Sequence, residues 1–357
     1  MKTPLLLLLV CPSVVFAEAL WFSGQQETEV TGEALSSMDI TVESYRLAYS
    51  GAEGPWTLDL GLGWNQYRLD YEPILFGESV SIGEETLQGD IALTREWNKE
   101  WSSSLRFRAY EGFADYRSIW TSEFYRQFFG AFDAYQAPDP HGLAVGASTV
   151  WNYLPGSGKA ELNLEFGRDE IAPGWSFNPD IGAPEPDRDT LDSLSSSLRV
   201  EQALNGWLKS EIALSARQIS ERDPRYGIRN TWAAAAGPVA FRFTGGYSEE
   251  APAFDSLYGS AMVEWNFVPQ WTLNAGYRYY EDSGEIETSG FNAQAPALES
   301  SEILAGVLWD RGDLAISGSV GFLDTDYAAL TEDNQFFGNL YRDREWWTFR
   351  LAATFRF

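Results

Sequence analysis

Hydrophobic and polar residues alternate with a period of two along most of this chain, in stretches that recur about every twenty residues from Met38 onward. Such alternation places successive side chains on opposite faces of a β-strand. The pattern is clearest at the end of the chain, where Trp347, Phe349 and Leu351 alternate with Thr348 and Arg350. One face of this segment suits lipid or a protein core, and the other suits water. The pattern predicts an all-β protein.

Two kinds of connection join the predicted strands. Short connections with the residue types of hairpin turns lie at 50–54, 98–100, 155–158, 205–206, 237–238, 269–270 and 310–313. Long connections cover about 69–83, 112–139, 170–189, 220–226, 249–255, 282–300 and 324–344. Because short and long connections alternate, we expect an antiparallel meander with its turns at one end and its loops at the other.

The last strand has the length of a bilayer-spanning strand, for which about 9–11 tilted residues suffice. Together with the terminal Phe357 it resembles the closing strand of Gram-negative outer-membrane β-barrels. The resemblance implies a porin-like transmembrane antiparallel β-barrel and indicates no narrower family. An amphipathic edge strand of a soluble β-sandwich is the alternative for this segment taken alone.

The strand count is the next expectation. Fifteen strands can be placed from Met38 to Phe357, whereas single-chain bacterial barrels have an even number. The weakly alternating segment from Ala19 to Val30 is the remaining candidate. We therefore predict about 16 strands, with 14 as the alternative, joined by short periplasmic turns and long acidic extracellular loops.

The first 17 residues have the features of a secretory signal peptide. Lys2 precedes an apolar run that begins at Leu5, and Ala17 is a small residue at the expected cleavage site. We predict cleavage after Ala17, which leaves residues 18–357 as a single barrel domain exported to the outer membrane of a Gram-negative-type bacterium. Cleavage also removes Cys11, the one cysteine, and with it any disulfide or thiolate metal site.

The charge balance excludes nucleic acid as a partner, because 52 acidic residues face 25 basic ones and the net charge is −27. Several carboxylates form close pairs in the predicted loops, namely Glu249/Glu250, Glu281/Asp282, Glu332/Asp333 and Asp187/Asp189. These pairs fit either solvated loops or divalent cations that bridge to lipopolysaccharide phosphates. No spacing matches a metal motif, and we predict no metal and no cofactor.

Tryptophan is concentrated near the short turns, where a ring of aromatic residues would anchor a barrel at one membrane interface. The predicted membrane-anchoring residues are Trp56, Trp97, Trp101, Trp151, Trp207, Trp265, Trp271, Trp309 and Phe357. The expected partners are outer-membrane lipid and lipopolysaccharide, and homo-oligomerisation is left open.

A barrel of 16 strands is too wide for side chains to fill, so charged residues at the polar strand positions become candidates for a pore lining. These candidates are Arg46, Asp59, Asp90, Arg106, Arg108, Glu161, Glu165, Arg199, Glu201, Arg217, Arg242, Glu264, Arg278 and Arg350. Each of them fits equally well as a member of an ion pair that rigidifies the wall.

The segment from Ser118 to Tyr135 differs from the other loops in its density of aromatic residues. Exposed aromatic side chains on a solvated loop would need a partner. We predict that the segment folds inward as a constriction, with Glu123, Arg126 and Asp133 as its charged candidates. Packing over the rim and an external helix are the alternatives.

Three functions fit this sequence. The architecture favours a channel for passive diffusion of small hydrophilic solutes. The alternative is a structural or adhesive barrel with a closed lumen and ligand-binding acidic loops. An outer-membrane hydrolase would have to use His141, the single histidine, and alternation places the nearby Ser148 on the opposite face of its strand. We therefore do not expect an enzyme.

Overall fold

The computed structural model of the protein describes residues 19–31, 38–71, 80–113, 119, 139–178, 183–220, 223–251, 254–284, 296–328 and 343–356. The predicted signal peptide lies outside these residues, as does Phe357. Within them no helix is long and apolar enough to cross a membrane.

Sixteen strands form one antiparallel sheet. They are β1 (Ala19–Thr31), β2 (Met38–Glu53), β3 (Trp56–Tyr71), β4 (Val80–Glu96), β5 (Trp101–Glu111), β6 (His141–Leu154), β7 (Gly158–Asn178), β8 (Ala183–Ala203), β9 (Leu208–Ile219), β10 (Arg225–Ala236), β11 (Val239–Glu250), β12 (Phe254–Val268), β13 (Trp271–Asp282), β14 (Leu298–Asp310), β15 (Leu314–Tyr327) and β16 (Arg344–Arg356). The predicted count of 16 is confirmed, and the weak segment at the start of the chain is a strand.

Each strand pairs with its neighbours in the sequence, and β1 pairs with β16 to close the barrel. All seven predicted short turns are present and lie at one end, because each joins the end of an even-numbered strand to the start of the next. Closure leaves no open sheet edge inside the membrane, where an unpaired backbone group costs several kcal/mol.

Apolar side chains on one face of the sheet point outward and remain exposed. On β3, Leu58, Leu60 and Leu62 are about two-fifths exposed, and on β16 Leu351 is 58% exposed. A soluble β-sandwich would bury such residues between its two sheets. Because the opposite face carries the charged residues, the exposed apolar face is the one that contacts hydrocarbon.

The predicted loop at 170–189 is wrong over most of its length, because β7 and β8 continue through it as a two-stranded ribbon. Beyond a register shift between Glu170 and Pro173, the pairing of β7 with β8 continues from Pro173 opposite Arg188 to Asn178 opposite Ala183. The β6–β7 ladder ends at Glu170 and the β8–β9 ladder at Ser193, so no described strand pairs with either edge of the ribbon. A proline costs no ladder bond at a free edge, which explains why a proline-rich sequence forms strands here.

Candidate functional site: the lumenal wall

The 14 charged residues singled out as pore-lining candidates all occupy positions on the polar face of the barrel. On β3, Asp59 alternates with the exposed Leu58 and Leu60, and on β16 Arg350 alternates with Phe349 and Leu351. Antiparallel pairing carries this polar face continuously from strand to strand. Hydrocarbon cannot solvate these charges, so the polar face lines the lumen.

Some ion pairs cross over a neighbouring strand because small residues lie beneath them. Arg46 on β2 contacts Asp90 on β4 at 2.8 Å. It passes over Gly61 of β3, where a Cβ atom would collide with both side chains. Arg108 on β5 likewise reaches Glu165 on β7 at 2.6 Å. The small residues are therefore needed for charged side chains to meet across an intervening strand.

Glu302 is the most buried charged residue of the described wall, with its side chain 6% exposed. It binds Arg278 at 3.0 Å and Arg350 at 3.3 Å, and the hydroxyl of Thr348 lies 3.5 Å away. Gly321 leaves room for this cluster, since a Cβ there would crowd the Glu302 carboxylate. One carboxylate thus joins strands β13, β14 and β16 near the seam of the barrel.

We expect the substitution Glu302→Gln to destabilise the barrel by about 1–2 kcal/mol, because it leaves two arginines beside a neutral side chain. The loss of stability stays this small because the Arg278 side chain is half exposed and water screens its interaction with Glu302. Urea unfolding in lipid vesicles measures the change. Glu264→Gln is the matched control, because Glu264 lies on the same wall without an ion pair to any described residue. Equal destabilisation by both variants would contradict the role of Glu302.

The other described ion pairs of the wall also run along it. Glu161 binds both Arg199 and Lys159, and the remaining pairs are Glu201 with Lys209, Glu211 with Arg229, and Glu250 with Arg225. Each pair joins strands that are at most two positions apart. Among the described residues no ion pair or hydrogen bond crosses the lumen, and the strands pack extensively only on their sheet neighbours.

Three arginines of the wall differ from the rest. Arg106 on β5, Arg217 on β9 and Arg242 on β11 have no carboxylate partner among the residues that the structure describes. All three are exposed to the lumen. Acidic residues outnumber basic ones twofold in the chain. An arginine of the wall without a described carboxylate partner is therefore unusual.

The connection between β5 and β6 enters the lumen at its start. The Thr86 hydroxyl, on the inward face of β4, donates a hydrogen bond of 2.5 Å to the carbonyl oxygen of Phe113. Phe113 is 5% exposed and Ile119 only 1%. Gly112 has a φ of +102°, and a Cβ atom on it would collide with the backbone of residues 85 and 86. The chain therefore turns inward here because residue 112 has no side chain.

The charged constriction candidates Glu123, Arg126 and Asp133 lie outside the described residues. The segment from Ser118 to Tyr135 that is predicted to fold inward also lies outside them except for Ile119, so its inward folding stays a prediction. Near Thr86, the inward-facing Tyr67 and Leu69 of the neighbouring β3 are almost fully buried.

The eight tryptophans predicted to anchor the barrel lie at its turn end. Trp101 stacks on Trp151 with ring centres 5.4 Å apart, and Trp271 contacts Trp309 at 6.4 Å. Arg95, an outward-facing residue that the sequence pattern did not single out, lies 4.0 Å from the ring centre of Trp97 and 5.0 Å from that of Trp56. Paired rings and a cation of this kind suit the wet edge of a bilayer.

Two of the four carboxylate pairs considered as cation sites, Glu249/Glu250 and Glu281/Asp282, are divided between the two faces of their strands, and Glu332/Asp333 lies outside the described residues. Glu249 faces outward while Glu250 faces the lumen and binds Arg225. Asp282 is buried on the inner face and accepts a hydrogen bond from the Gly284 amide, whereas Glu281 faces outward. Within the part of the chain that the structure describes, no group of three or more potential ligands is arranged to hold a metal ion.

His141 and Ser148 lie on opposite faces of β6, as the alternation predicted. Ser148 faces inward and shares a hydrogen bond of 2.5 Å with Ser104. His141 faces outward, half exposed, with its Nε2 atom 3.5 Å from Glu170. The two side chains therefore do not form a nucleophile and base pair.

A closed meander of 16 strands with an apolar outer face, an aromatic turn end and a charged inner wall defines the fold as that of an outer-membrane β-barrel. Among solved structures the chain is similar to OprB of Pseudomonas putida at low pH, with a TM-score of 0.55 and 7% identity over 94% of this chain and 91% of that one.

It is also similar to OccK7 (OpdD) of Pseudomonas aeruginosa, with a TM-score of 0.51 and 9% identity over 95% of this chain and 98% of that one. A bacterial polysaccharide outer membrane secretin gives a TM-score of 0.51 and 8% identity over 95% and 98% of the two chains. No family model and no curated protein sequence matches the chain. Identities this low show a shared fold and nothing finer.

Proposed function

We propose that the protein is a porin-like outer-membrane channel for the passive diffusion of small hydrophilic solutes. The observation that carries the proposal is the direction of the wall contacts. Every described ion pair of the lumen lies along the wall, and none joins opposite sides. A wall built in this way leaves its charged groups available to water and solutes.

The width of the barrel supports the same conclusion. Sixteen strands spaced about 4.8 Å apart and tilted by about 40° enclose a backbone cylinder roughly 30 Å across. Side chains that point inward from the two sides cannot span this distance. We propose that the connection after β5, which turns inward at Gly112 and Phe113, acts as the constriction. We place the short turns in the periplasm and the acidic loops on the lipopolysaccharide side, and we assign no catalytic role to His141.

A structural or adhesive barrel with a closed lumen is the second candidate, because the connection after β5 is well packed where it enters the lumen. Conductance distinguishes the two candidates. We expect the purified protein to insert into planar bilayers with stepwise current increases in potassium chloride. Protein unfolded before addition serves as the control. Insertion without current, with insertion verified by protease protection in lipid vesicles of the same composition, would contradict the channel.

A further inference from the structure

The inner wall contains a recess between β3 and β9 with a volume of about 400 Å³. Its floor consists of small residues on three adjacent strands, namely Ala144, Gly167, Ser193 and Ser195. Because Gly167 lies between Ala144 and Ser193 in the pairing, no large side chain fills the space above β6, β7 and β8. The recess is thus formed by the sequence of the wall itself.

One rim of the recess carries groups that already bind each other. Arg108 contacts Glu165 at 2.6 Å, and the Tyr110 hydroxyl donates a hydrogen bond of 2.8 Å to Asp169. The carboxylates of this rim retain further lone pairs, since an ionised carboxylate accepts about four hydrogen bonds. This rim can therefore accept hydroxyl protons from a solute, and it repels a second negative charge.

The other rim carries Arg217, one of the three wall arginines without a carboxylate partner among the described residues. Arg217 lies opposite Ser195 on β8 and opposite Arg225 on β10. Arg225 is engaged by Glu250 at 3.0 Å and lies 4.1 Å from the ring centre of Phe254. Glu250 thus offsets the charge of Arg225, whereas no described residue pairs with the guanidinium of Arg217, which carries five N–H donors.

We propose that this recess is a subsite for a hydroxylated monocarboxylate of sugar-acid size. The solute carboxylate binds the Arg217 guanidinium in a charge-assisted pair of hydrogen bonds. Its hydroxyl groups exchange hydrogen bonds with Ser193 and Ser195 and with the carboxylates of the opposite rim. The proposal names a substrate class for the channel, and its place on a permeation path rests on the function proposed above.

Saturation-transfer NMR on gluconate tests the subsite with the intact protein in detergent micelles. We expect a gluconate signal that Arg217→Gln reduces roughly tenfold, because the variant removes a charge-assisted bidentate contact. Arg311→Gln is the matched control, since Arg311 is a cation in the β14–β15 turn, far from the recess and without a described ion pair. An equal signal for gluconate and glucose, or no effect of Arg217→Gln, would overturn the proposal.

Single-channel recordings test the same subsite on the permeation path. Gluconate is expected to interrupt the current of the wild-type protein, and Arg217→Gln should require roughly tenfold more gluconate for the same block. Stronger block by the dianion glucarate would overturn the preference for one negative charge. If the bilayers stay silent while the NMR signal depends on Arg217, the subsite stands and the channel function fails.

Discussion

Replacing Gly112 with alanine will widen the passage and raise the single-channel conductance by roughly twofold, because it displaces the loop that enters the lumen. The φ of +102° at this residue is unfavourable for any side chain. The new Cβ atom would also collide with the carbonyl oxygen of Glu85 and with the backbone of Thr86. The loop can then no longer lie against β4, and the hydrogen bond from Thr86 to Phe113 is lost. Planar bilayer recordings measure the change.

Gly156→Ala is the control for backbone strain alone. Gly156 also has a positive φ, of +80°, but it lies in the β6–β7 turn and no atom would lie within 4 Å of an added Cβ. It should lower stability without changing conductance. Thr86→Val removes the hydrogen bond without the collision, so a smaller change in the same direction is expected. A Gly112→Ala channel with wild-type conductance would show that the loop entry does not limit the current.

The substitution Leu351→Arg will largely abolish assembly of the barrel. Leu351 is 58% exposed on the outer face in the middle of β16, and an arginine at this depth in hydrocarbon costs about 2–4 kcal/mol. The neighbouring Ala352→Arg introduces the same side chain on the lumenal face, opposite Ser317 of β15. It should be tolerated, because water solvates that face.

The fraction of protein that migrates as the compact, heat-modifiable form in gel electrophoresis, after refolding into vesicles, measures both variants. We expect a large loss for Leu351→Arg and a small one for Ala352→Arg. Equal yields for the two variants would mean that the outer face does not contact hydrocarbon, and the membrane assignment would then be wrong.

The strands and turns could be predicted from the sequence because alternation is a local signal. The apolar residues on β3 and β16 and the turn at Gly237 and Pro238 each specify their element within a few residues. Even β1, whose own alternation is weak, followed from the requirement for an even number of strands. The polar face of the wall followed from the same periodicity.

The details of the wall could not be predicted, since they depend on register between distant segments. Glu302 escaped notice because Leu298 and Leu304, which flank it in β14, also face inward and obscure the alternation. That Arg217 has no described carboxylate partner follows from Arg225 being opposite it and from Glu250 binding Arg225 instead. The β7–β8 ribbon was not predicted because Pro173 and Pro186 are typical of loops. They fit into strands here because each strand of the ribbon pairs with a described strand on one side only.

The pairing of β1 with β16 affects the order in which the barrel can assemble. Every other pair of strands is adjacent in the sequence and can form locally. The β1–β16 seam joins segments more than 300 residues apart, such as Phe22 and Phe355. The chain loses the entropy of closing this long loop before any contact across the seam stabilises it. An assembling barrel therefore keeps two unpaired sheet edges until β16 pairs with β1, so the cylinder can close only when strands from both ends of the sequence are in place.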